Sequence, residues 1–178
     1  MKSKEPHIQY LMLEENDLPE VASWAVDEKS LIQWCGPVFE YPLTVSQLEP
    51  WFIETETENP SRLIFKASID GNIAGICELG AIDRKFRTAS ICRVFIKPEY
   101  RSLKLAEKLI SRTINHAFEV LNIRRLELNV YSFNTPAIIC YMRLGFVKEG
   151  MKRKVTQYKD EFWDGYVYGL LREEWKGI

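Results

Sequence analysis

The sequence has no long apolar run and few side chains that bind metal ions. No stretch approaches the roughly 20 apolar residues that a membrane-spanning helix needs, and the N-terminus lacks the apolar core of a signal peptide. The four cysteines lie far apart, and His7 and His116 are the only histidines. Because zinc sites use closely spaced cysteine and histidine pairs, we predict no metal site. We also predict a cytoplasmic protein with reduced thiols and no membrane partner.

An excess of positive charge is absent too. The 24 basic and 25 acidic side chains nearly cancel, so the formal net charge is -1. Binding to nucleic acid without sequence preference needs many basic side chains that neutralise phosphates, so we expect no nucleic-acid partner. The chain has 178 residues, of which 46% are hydrophobic. This length and composition predict one domain over residues 1–178 with a sizeable core.

The middle of the chain joins a strand pattern to a helix pattern. An apolar run over 90–96 predicts a strand, which a break at Pro98 ends. A helix should follow, because apolar residues recur every three or four positions from Leu103 to Leu121. Free backbone N–H groups at the start of such a helix can bind a phosphate. An ordinary crossover that binds no ligand is the alternative interpretation.

The remaining segments predict an α+β domain. A strand is predicted over 7–13. A helix should follow that Asn16 or Asp17 caps and that reaches Val26, and a second short helix should begin at Ser46. Asp70-Gly71-Asn72 predicts a hairpin between strands at 63–69 and 73–79. Further strands are expected at 124–130, 146–158 and 162–171, with a short helix over 135–144 before the last two.

Several short motifs resemble one protein family. The stretch from Asn134 to Phe146 is similar to the N-x-x-A-x-x-x-Y-x-x-x-G-F signature of the GNAT N-acetyltransferases. The segments Trp34 to Pro37 and Trp163 to Trp175 are similar to the branch that contains ribosomal-protein N-terminal acetyltransferases and polyamine acetyltransferases. The resemblance covers nearly the whole chain. It implies a single-domain α+β fold with a mixed, splayed β-sheet of about six or seven strands flanked by helices.

The resemblance implies that acetyl-CoA is the co-substrate. In the family, a loop of the pattern R/Q-x-x-G-x-G/A surrounds the pyrophosphate with backbone N–H groups. The matching residues here are Arg101, Ser102, Leu103, Lys104, Leu105 and Ala106. The resemblance also implies that strand backbone groups of Val94, Phe95 and Ile96 contact the pantetheine arm. Asn134 would contact the cofactor near the next helix.

Lys104 departs from the family pattern, which has glycine at this position. Glycine permits unusual backbone dihedrals and a close approach of the backbone to the ligand. A lysine side chain therefore either tilts the loop and crowds the phosphates, or contributes its own charge to a phosphate contact.

Tyr141 matches the phenol that protonates the departing CoA thiolate in the family. A phenol can donate a proton to sulfur as negative charge develops there. A packing aromatic on a short helix is the alternative interpretation, and the surrounding motif favours the catalytic one. Cys140 is not expected to act as a nucleophile, because no histidine lies near it in the sequence.

The general base is less clearly indicated. Many relatives carry a glutamate where Ser90 or Ile91 stands here. Glu78 on the preceding strand is the nearest acidic substitute, and we name it as the second catalytic residue. The alternatives are an exposed carboxylate of Glu78 that pairs with Arg93 or Arg87, and removal of the proton by water.

Taken together, the resemblance implies an enzyme that transfers an acetyl group from acetyl-CoA to a primary amine. The amine belongs to a peptide or protein N-terminus or to a small molecule, and it attacks the thioester directly in a ternary complex. Acetyl-CoA would enter between the strand of Val94 and the strand of Leu126. A CoA-binding or interaction protein with weakened catalysis is the alternative, and a homodimer is one expected assembly.

Overall fold

The computed structural model describes residues 7–101 and 103–177. Within these ranges, seven strands form one sheet in the order β1-β2-β3-β4-β5-β7-β6. The strands are β1 (Ile8–Met12), β2 (Leu63–Ile69), β3 (Asn72–Asp83), β4 (Thr88–Ile96), β5 (Arg125–Tyr131), β6 (Val147–Tyr158) and β7 (Glu161–Leu171). The helices are α1 (Leu18–Ala22), α2 (Glu28–Cys35), α3 (Val45–Ile53), α4 (Leu105–Asn115) and α5 (Thr135–Arg143). The expected α+β fold with a mixed sheet is confirmed.

Only one pair of neighbouring strands in the described sheet is parallel. It is the pair of β4 and β5, which α4 connects as a crossover, whereas the other neighbours run antiparallel. The β2–β3 hairpin turns at Asp70 and Gly71, which have φ angles of 50° and 84°. Two successive positive φ angles are what a tight hairpin turn requires, so the Asp-Gly sequence explains this register.

The helices pack on both faces of the sheet. Leu109, Ile114 and Phe118 belong to a core that α4 and α5 form with one face. Leu18, Leu31 and other residues of α1, α2 and α3 form a second core with the opposite face. The sheet is therefore covered on both sides, and a ligand that reaches its interior must enter where the strands separate.

The first helix is shorter than predicted. It ends at Ala22 rather than at Val26, and a 3-10 turn (Glu15–Asp17) precedes it. The carboxylate of Asp17 accepts the Glu14 N–H at 2.8 Å, so it caps that turn and not α1. Asp27 then caps α2 by accepting the Ser30 N–H at 2.6 Å, which requires extended backbone at Asp27 and prevents continuation of α1.

The long predicted helix is confirmed, with one irregularity. α4 continues into a π-helical turn over His116–Val120 before β5 begins. None of the helices in the described part of the chain is both long and apolar enough to cross a membrane.

Candidate active site

A gap opens in the sheet between β4 and β5. The two strands pair only at Thr88 with Arg125, Ala89 with Leu126 and Ser90 with Glu127. Beyond Ser90, β4 continues to Ile96 and β5 continues to Tyr131 without further pairing between them. The backbone edges of the two strands are therefore free to bind a ligand at this place.

A β-bulge in β4 causes the divergence. Phe95 lies opposite Ile76 and Cys92 lies opposite Glu78, so β4 contains one residue more than β3 over this stretch. Arg93 has a φ of 43°, in the left-handed region that non-glycine residues rarely occupy. A bulge of this kind bends its strand and increases the local twist, which turns β4 away from β5.

The backbone of Val94 and Ile96 faces the gap. The Lys97 N–H bonds the Ala74 carbonyl of β3 at 2.9 Å, so Lys97 faces β3. Because backbone groups alternate along a strand, Ile96 and Val94 face the opposite edge. The Ile96 carbonyl accepts a bond from Arg101 Nε at 3.2 Å, as expected for that edge. These residues are half-buried, and their contact with a pantetheine arm stays a prediction.

Lys104 marks the start of α4. It has a φ of 54°, and its carbonyl accepts the Lys108 N–H at 3.2 Å, so it is the residue that begins the helical hydrogen-bonding pattern. Leu105 is buried and Ala106 packs against the core, whereas Arg101, Leu103 and Lys104 are exposed. Ser102, the remaining residue of the predicted phosphate loop, lies outside the described residues. The loop thus presents the free N–H groups of an 11-residue helix at the end of the gap.

We expect Lys104→Gly to stabilise the protein. A left-handed conformation costs a non-glycine residue roughly 1–2 kcal/mol, and glycine removes that cost while gaining some entropy in the unfolded chain. The expected net gain is about 1 kcal/mol, or roughly 2–4 °C in Tm for a chain of this size, measured by thermal unfolding. Lys104→Ala is the control because it removes the charge but keeps the strained φ. Equal Tm values for Lys104→Gly and Lys104→Ala would contradict the conformational explanation.

Tyr141 lies on α5 and belongs to the core that also contains residues of β4 and α4. Its side chain is 8% exposed, and its ring contacts Phe146 edge to face at 6.1 Å between centroids. Burial raises the pKa of Tyr141 well above its usual value, and the nearby thiols of Cys77, Cys140 and Cys92 add to that shift. A phenol in this environment keeps its proton at neutral pH. In acid–base chemistry it can therefore donate a proton but does not act as a base.

Asn134 is placed at the start of α5. Its carbonyl accepts the Ile138 N–H at 3.1 Å, while its side chain does not cap the helix. The side-chain amide is therefore not committed to the helix end. This leaves it able to contact a ligand, which stays a prediction.

The cysteines around Tyr141 are not nucleophiles. All four cysteines of the chain are free thiols. Burial raises the pKa of Cys77 to about 12, of Cys92 to about 11 and of Cys140 to about 12. Thiols with such pKa values stay protonated, and the thiolate is the reactive form. An acetyl group is thus more readily transferred directly than through a cysteine.

Glu78 is buried, which corrects the expectation of an exposed carboxylate. Its side chain is 1% exposed, and Trp51 of α3 donates its indole N–H to Oε2 at 2.7 Å. Arg93 Nη2 bonds Oε1 at 2.6 Å, and Arg93 Nε bonds Oε2 as well. Arg62 Nη1 lies 3.5 Å from Oε1. The predicted pairing with Arg93 is confirmed.

Arg87, the other partner suggested from the sequence, lies elsewhere. Its guanidinium bonds the carbonyl and the side-chain oxygen of Asn122, each at 2.6 Å. The absence of a side chain at Gly80 leaves room for the Glu78 carboxylate, because a Cβ at Gly80 would lie 2.5 Å from Glu78 Oε1. The carboxylate therefore occupies a site that fits it closely.

The charges of this pair are strongly coupled. Burial alone would lower the pKa of the Arg93 guanidinium, but the hydrogen bonds and the charge of Glu78 outweigh it and raise that pKa. Arg93 is the bulged residue of β4, so the ion pair fixes the backbone at the point where β4 turns away from β5.

Tyr141 and Glu78 lie on opposite faces of the sheet. Neighbouring strand residues point to opposite faces. Cys77 packs in the core that contains Tyr141, whereas Glu78 contacts Trp51 in the helical layer of α1 to α3. The gap between β4 and β5 connects the two faces. An amine can approach from one face while a thiolate leaves on the other.

Helix α2 connects the two sides of the gap. Near its C-terminal end, Trp34 donates its indole N–H to the Arg93 carbonyl of β4 at 3.1 Å. Near its N-terminal end, Lys29 Nζ pairs with Glu161 of β7 at 2.9 Å. Phe39, which follows α2, packs edge to face against Trp51 of α3 at 6.0 Å between ring centroids.

Sequence reasoning missed three partners of these groups. They are Trp51 and Arg62 beside Glu78, and Lys29 beside Glu161. No local pattern signals contacts between residues this far apart in the chain. The density of aromatic residues around Glu161, with Tyr158, Phe162 and Trp163 within three positions, was the one available signal.

Known proteins share this arrangement. The family described as "Acetyltransferase (GNAT) family" matches residues 18–146. The chain belongs to the GNAT acetyltransferase family. It is therefore an enzyme that transfers an acetyl group from acetyl-CoA, its co-substrate, to an amine.

Curated relatives of this GNAT enzyme include two at 31% identity. One is the SPbeta prophage-derived N-acetyltransferase YokL of Bacillus subtilis, similar over 136 residues that cover 76% of each chain. The other is spermidine N(1)-acetyltransferase of Escherichia coli K12, similar over 138 residues that cover 78% of this chain and 72% of that one.

Solved structures of similar fold include spermidine N-acetyltransferase of Vibrio cholerae in complex with CoA and spermine. It has a TM-score of 0.81 at 24% identity, and the match covers 94% of this chain and 96% of that one. A further structure of the Vibrio enzyme, with a TM-score of 0.77 at 24% identity over 93% of this chain, is described as dodecameric. This likeness confirms the fold.

Proposed function

We propose that this N-acetyltransferase acetylates a primary amine of a small polycation such as spermidine. The observation that carries the proposal is the similarity to the spermidine acetyltransferase of Escherichia coli over 78% of the chain. The half-exposed carboxylate of Glu161 on β7, which pairs with Lys29 of α2, supports an acceptor that carries positive charge. A peptide or protein N-terminus is the rival acceptor.

The residues of the gap suit acetyl-CoA, which supplies a thioester when bound. Val94 and Ile96 offer free backbone groups to the amide-rich arm, and the N-terminal N–H groups of α4 offer donors to the pyrophosphate. Arg101 and Lys104 are exposed beside that helix start and add positive charge. Asn134 completes the proposed set at the start of α5.

In the proposed mechanism, Tyr141 donates its proton toward the sulfur of the leaving thiolate. Backbone N–H groups at the Arg93 bulge polarise the reacting carbonyl, and the amine attacks without a covalent enzyme intermediate. The amine loses its proton to Glu78 or to water. The contacts of Glu78 favour water, because donors from Trp51 and Arg93 already occupy both of its oxygens.

The acceptor is tested by measuring acetyl-CoA binding and amine acetylation on the same protein. Titration calorimetry should show saturable binding of acetyl-CoA in the micromolar range. Release of free CoA thiol should then be faster with spermidine than with a peptide that has a free N-terminus. Faster acetylation of the peptide would overturn the proposed acceptor, and failure to bind acetyl-CoA at millimolar concentration would overturn the site.

We also propose that the enzyme self-associates through its edge strand β6. Val147, Met151 and Val155 of this strand are exposed apolar residues, and the similar Vibrio enzyme is described as a dodecamer. Light scattering should report a dimer or a larger assembly, whereas a monomer mass would overturn this proposal. A cytoplasmic location stays a prediction, with which four free thiols are compatible.

A further inference from the structure

A cavity of about 440 Å³ lies between the start of α2 and the β6–β7 hairpin. Its lining residues are Lys29, Phe133, Glu161, Phe162 and Trp163. It lies at the N-terminal end of α2, and the C-terminal end of the same helix contacts β4 of the gap through Trp34.

Three aromatic side chains surround Trp163, and together with Trp163 they form what we call the aromatic box. The ring centroids of Tyr131, Phe133 and Tyr158 lie 5.0, 5.1 and 5.7 Å from that of Trp163. Tyr131 and Phe133 are also stacked on each other at 5.5 Å. Faces of aromatic rings carry negative potential, so a box of this composition attracts organic cations.

A carboxylate completes the box. Trp163 donates its indole N–H to Glu161 Oε2 at 3.0 Å. That hydrogen bond, followed by the contact with Lys29, lowers the pKa of Glu161. The carboxylate is therefore ionised at neutral pH and held against the aromatic rings, which is the arrangement expected of an ammonium-binding site.

The ammonium group of Lys29 already occupies this site. Its Nζ lies 5.6 Å from the Trp163 ring centroid and 5.7 Å from that of Tyr158. It lies 2.9 and 3.2 Å from the two oxygens of Glu161. The side chains of Lys29 and Glu161 are 48% and 55% exposed, so the pair is open to solvent and weak enough to exchange.

We propose that the aromatic box and Glu161 bind a second ammonium group of the acceptor, and that this group displaces Lys29. The proposal rests on the proposed function, since it names the part of the enzyme that recognises a diamine or polyamine. The acceptor class is an amine with at least two ammonium groups. One group enters the gap as the free amine, while the other replaces the lysine ammonium against Trp163, Tyr158 and Glu161.

The displacement explains why Lys29 is placed at the end of α2. In the free enzyme it ties the N-terminal end of α2 to β7, while Trp34 ties the other end to β4. A ligand ammonium that replaces Lys29 breaks the Lys29–Glu161 ion pair and leaves the hydrogen bond from Trp34 to the Arg93 carbonyl in place. Lys29 therefore competes with the acceptor inside the same molecule, and its removal raises affinity for polyamines but not for monoamines.

The test uses binding of spermidine and of butylamine by titration calorimetry, without turnover. Lys29→Met removes the competing ammonium, and we expect it to bind spermidine about tenfold more tightly. Glu161→Gln removes the carboxylate and should weaken spermidine binding about tenfold. Butylamine binding should be equal in all variants. Both substitutions alter an exposed pair, so thermal unfolding should show a folded protein.

Lys154→Met is the matched control. Lys154 lies on the same hairpin, with its Nζ 4.9 Å from the Phe162 ring centroid, and it does not contact Glu161. Its substitution by methionine removes the same unit of charge as Lys29→Met. We expect it to leave spermidine binding unchanged. Unchanged or weaker spermidine binding by Lys29→Met, or an equal change with Lys154→Met, would overturn the proposal.

The binding readout separates this proposal from the proposed function. If the variants shift spermidine affinity as expected but no amine is acetylated, the aromatic box is confirmed and the acceptor assignment fails. If spermidine is acetylated with the same KM by the parent enzyme and by Lys29→Met, the acceptor assignment is confirmed and the role of the box fails.

Discussion

Tyr141→Phe is expected to lower kcat by about 100-fold, because loss of a positioned general acid typically costs two or more orders of magnitude. The phenol is buried at 8% exposure beside the gap, so water does not readily replace it as a donor. Phenylalanine keeps the ring and its packing against Phe146. The KM for acetyl-CoA should therefore change by less than about twofold. Steady-state kinetics and titration calorimetry with acetyl-CoA measure the two effects separately.

The pH dependence follows from the direction of the pKa shift. Burial raises the pKa of Tyr141 above its usual value near 10. The phenol therefore stays protonated as the pH rises through the neutral and mildly alkaline range. Loss of activity on the alkaline side should not reflect ionisation of Tyr141 below about pH 10. A basic limb that disappears in Tyr141→Phe below that pH would contradict this assignment.

Tyr10→Phe is the matched control for the loss of a phenol hydroxyl. Tyr10 lies on β1, and its buried hydroxyl has no hydrogen-bond partner among the described residues. Its removal should leave kcat unchanged and should not lower the stability, because an unpaired buried hydroxyl is itself unfavourable. A kcat for Tyr141→Phe within threefold of that for Tyr10→Phe would rule out the proton-donor role.

Local sequence patterns predicted the elements that carry the cofactor side of the site. The apolar spacing that predicted α4, the Asp70-Gly71 turn and the glycine at 145 each act over a few neighbouring residues. Gly145 has a φ of 91°, in the left-handed region where a helix commonly ends in glycine. Such features depend on backbone sterics and periodicity, so one segment of sequence is enough to recognise them.

The acceptor side was less predictable because distant residues build it. Trp51 and Glu78 are 27 positions apart, and Lys29 and Glu161 are 132 positions apart. The burial of Glu78 depends on the bulge at Arg93, where an arginine occupies a conformation that sequence patterns assign to glycine. The role of Asp17 also depends on a distant residue, since its carboxylate accepts a bond from Lys66, 49 positions away, at 2.7 Å.

Glu78→Gln is expected to destabilise the protein by about 3 kcal/mol or more. The substitution leaves the buried guanidinium of Arg93 without its counter-charge, and removal of one member of a buried ion pair is costly for that reason. Because Arg93 forms the bulge that turns β4 away from β5, we also expect a lower kcat. Chemical denaturation measures the stability, and initial rates over a range of pH measure the activity.

The pH profile distinguishes the two roles of Glu78. If Glu78 positions the bulge through Arg93, Glu78→Gln lowers the rate at every pH and keeps the shape of the kcat/KM profile. If Glu78 is the general base, the acidic limb of that profile disappears in the variant. The contacts of Trp51 and Arg93 with both carboxylate oxygens favour the first result.

Two further variants separate the buried pair from surface effects. Glu54→Gln removes the exposed partner of Arg62, whose Nε lies 2.7 Å from Glu54 Oε2, and should change the stability by less than about 0.5 kcal/mol. Glu78→Leu combined with Arg93→Met replaces the ion pair by apolar side chains and should recover part of the stability lost in Glu78→Gln. Recovery of stability without recovery of the rate would show that the rate depends on Glu78 and Arg93 themselves and not only on a well-packed core, and the pH profile of Glu78→Gln then decides between the two roles of Glu78.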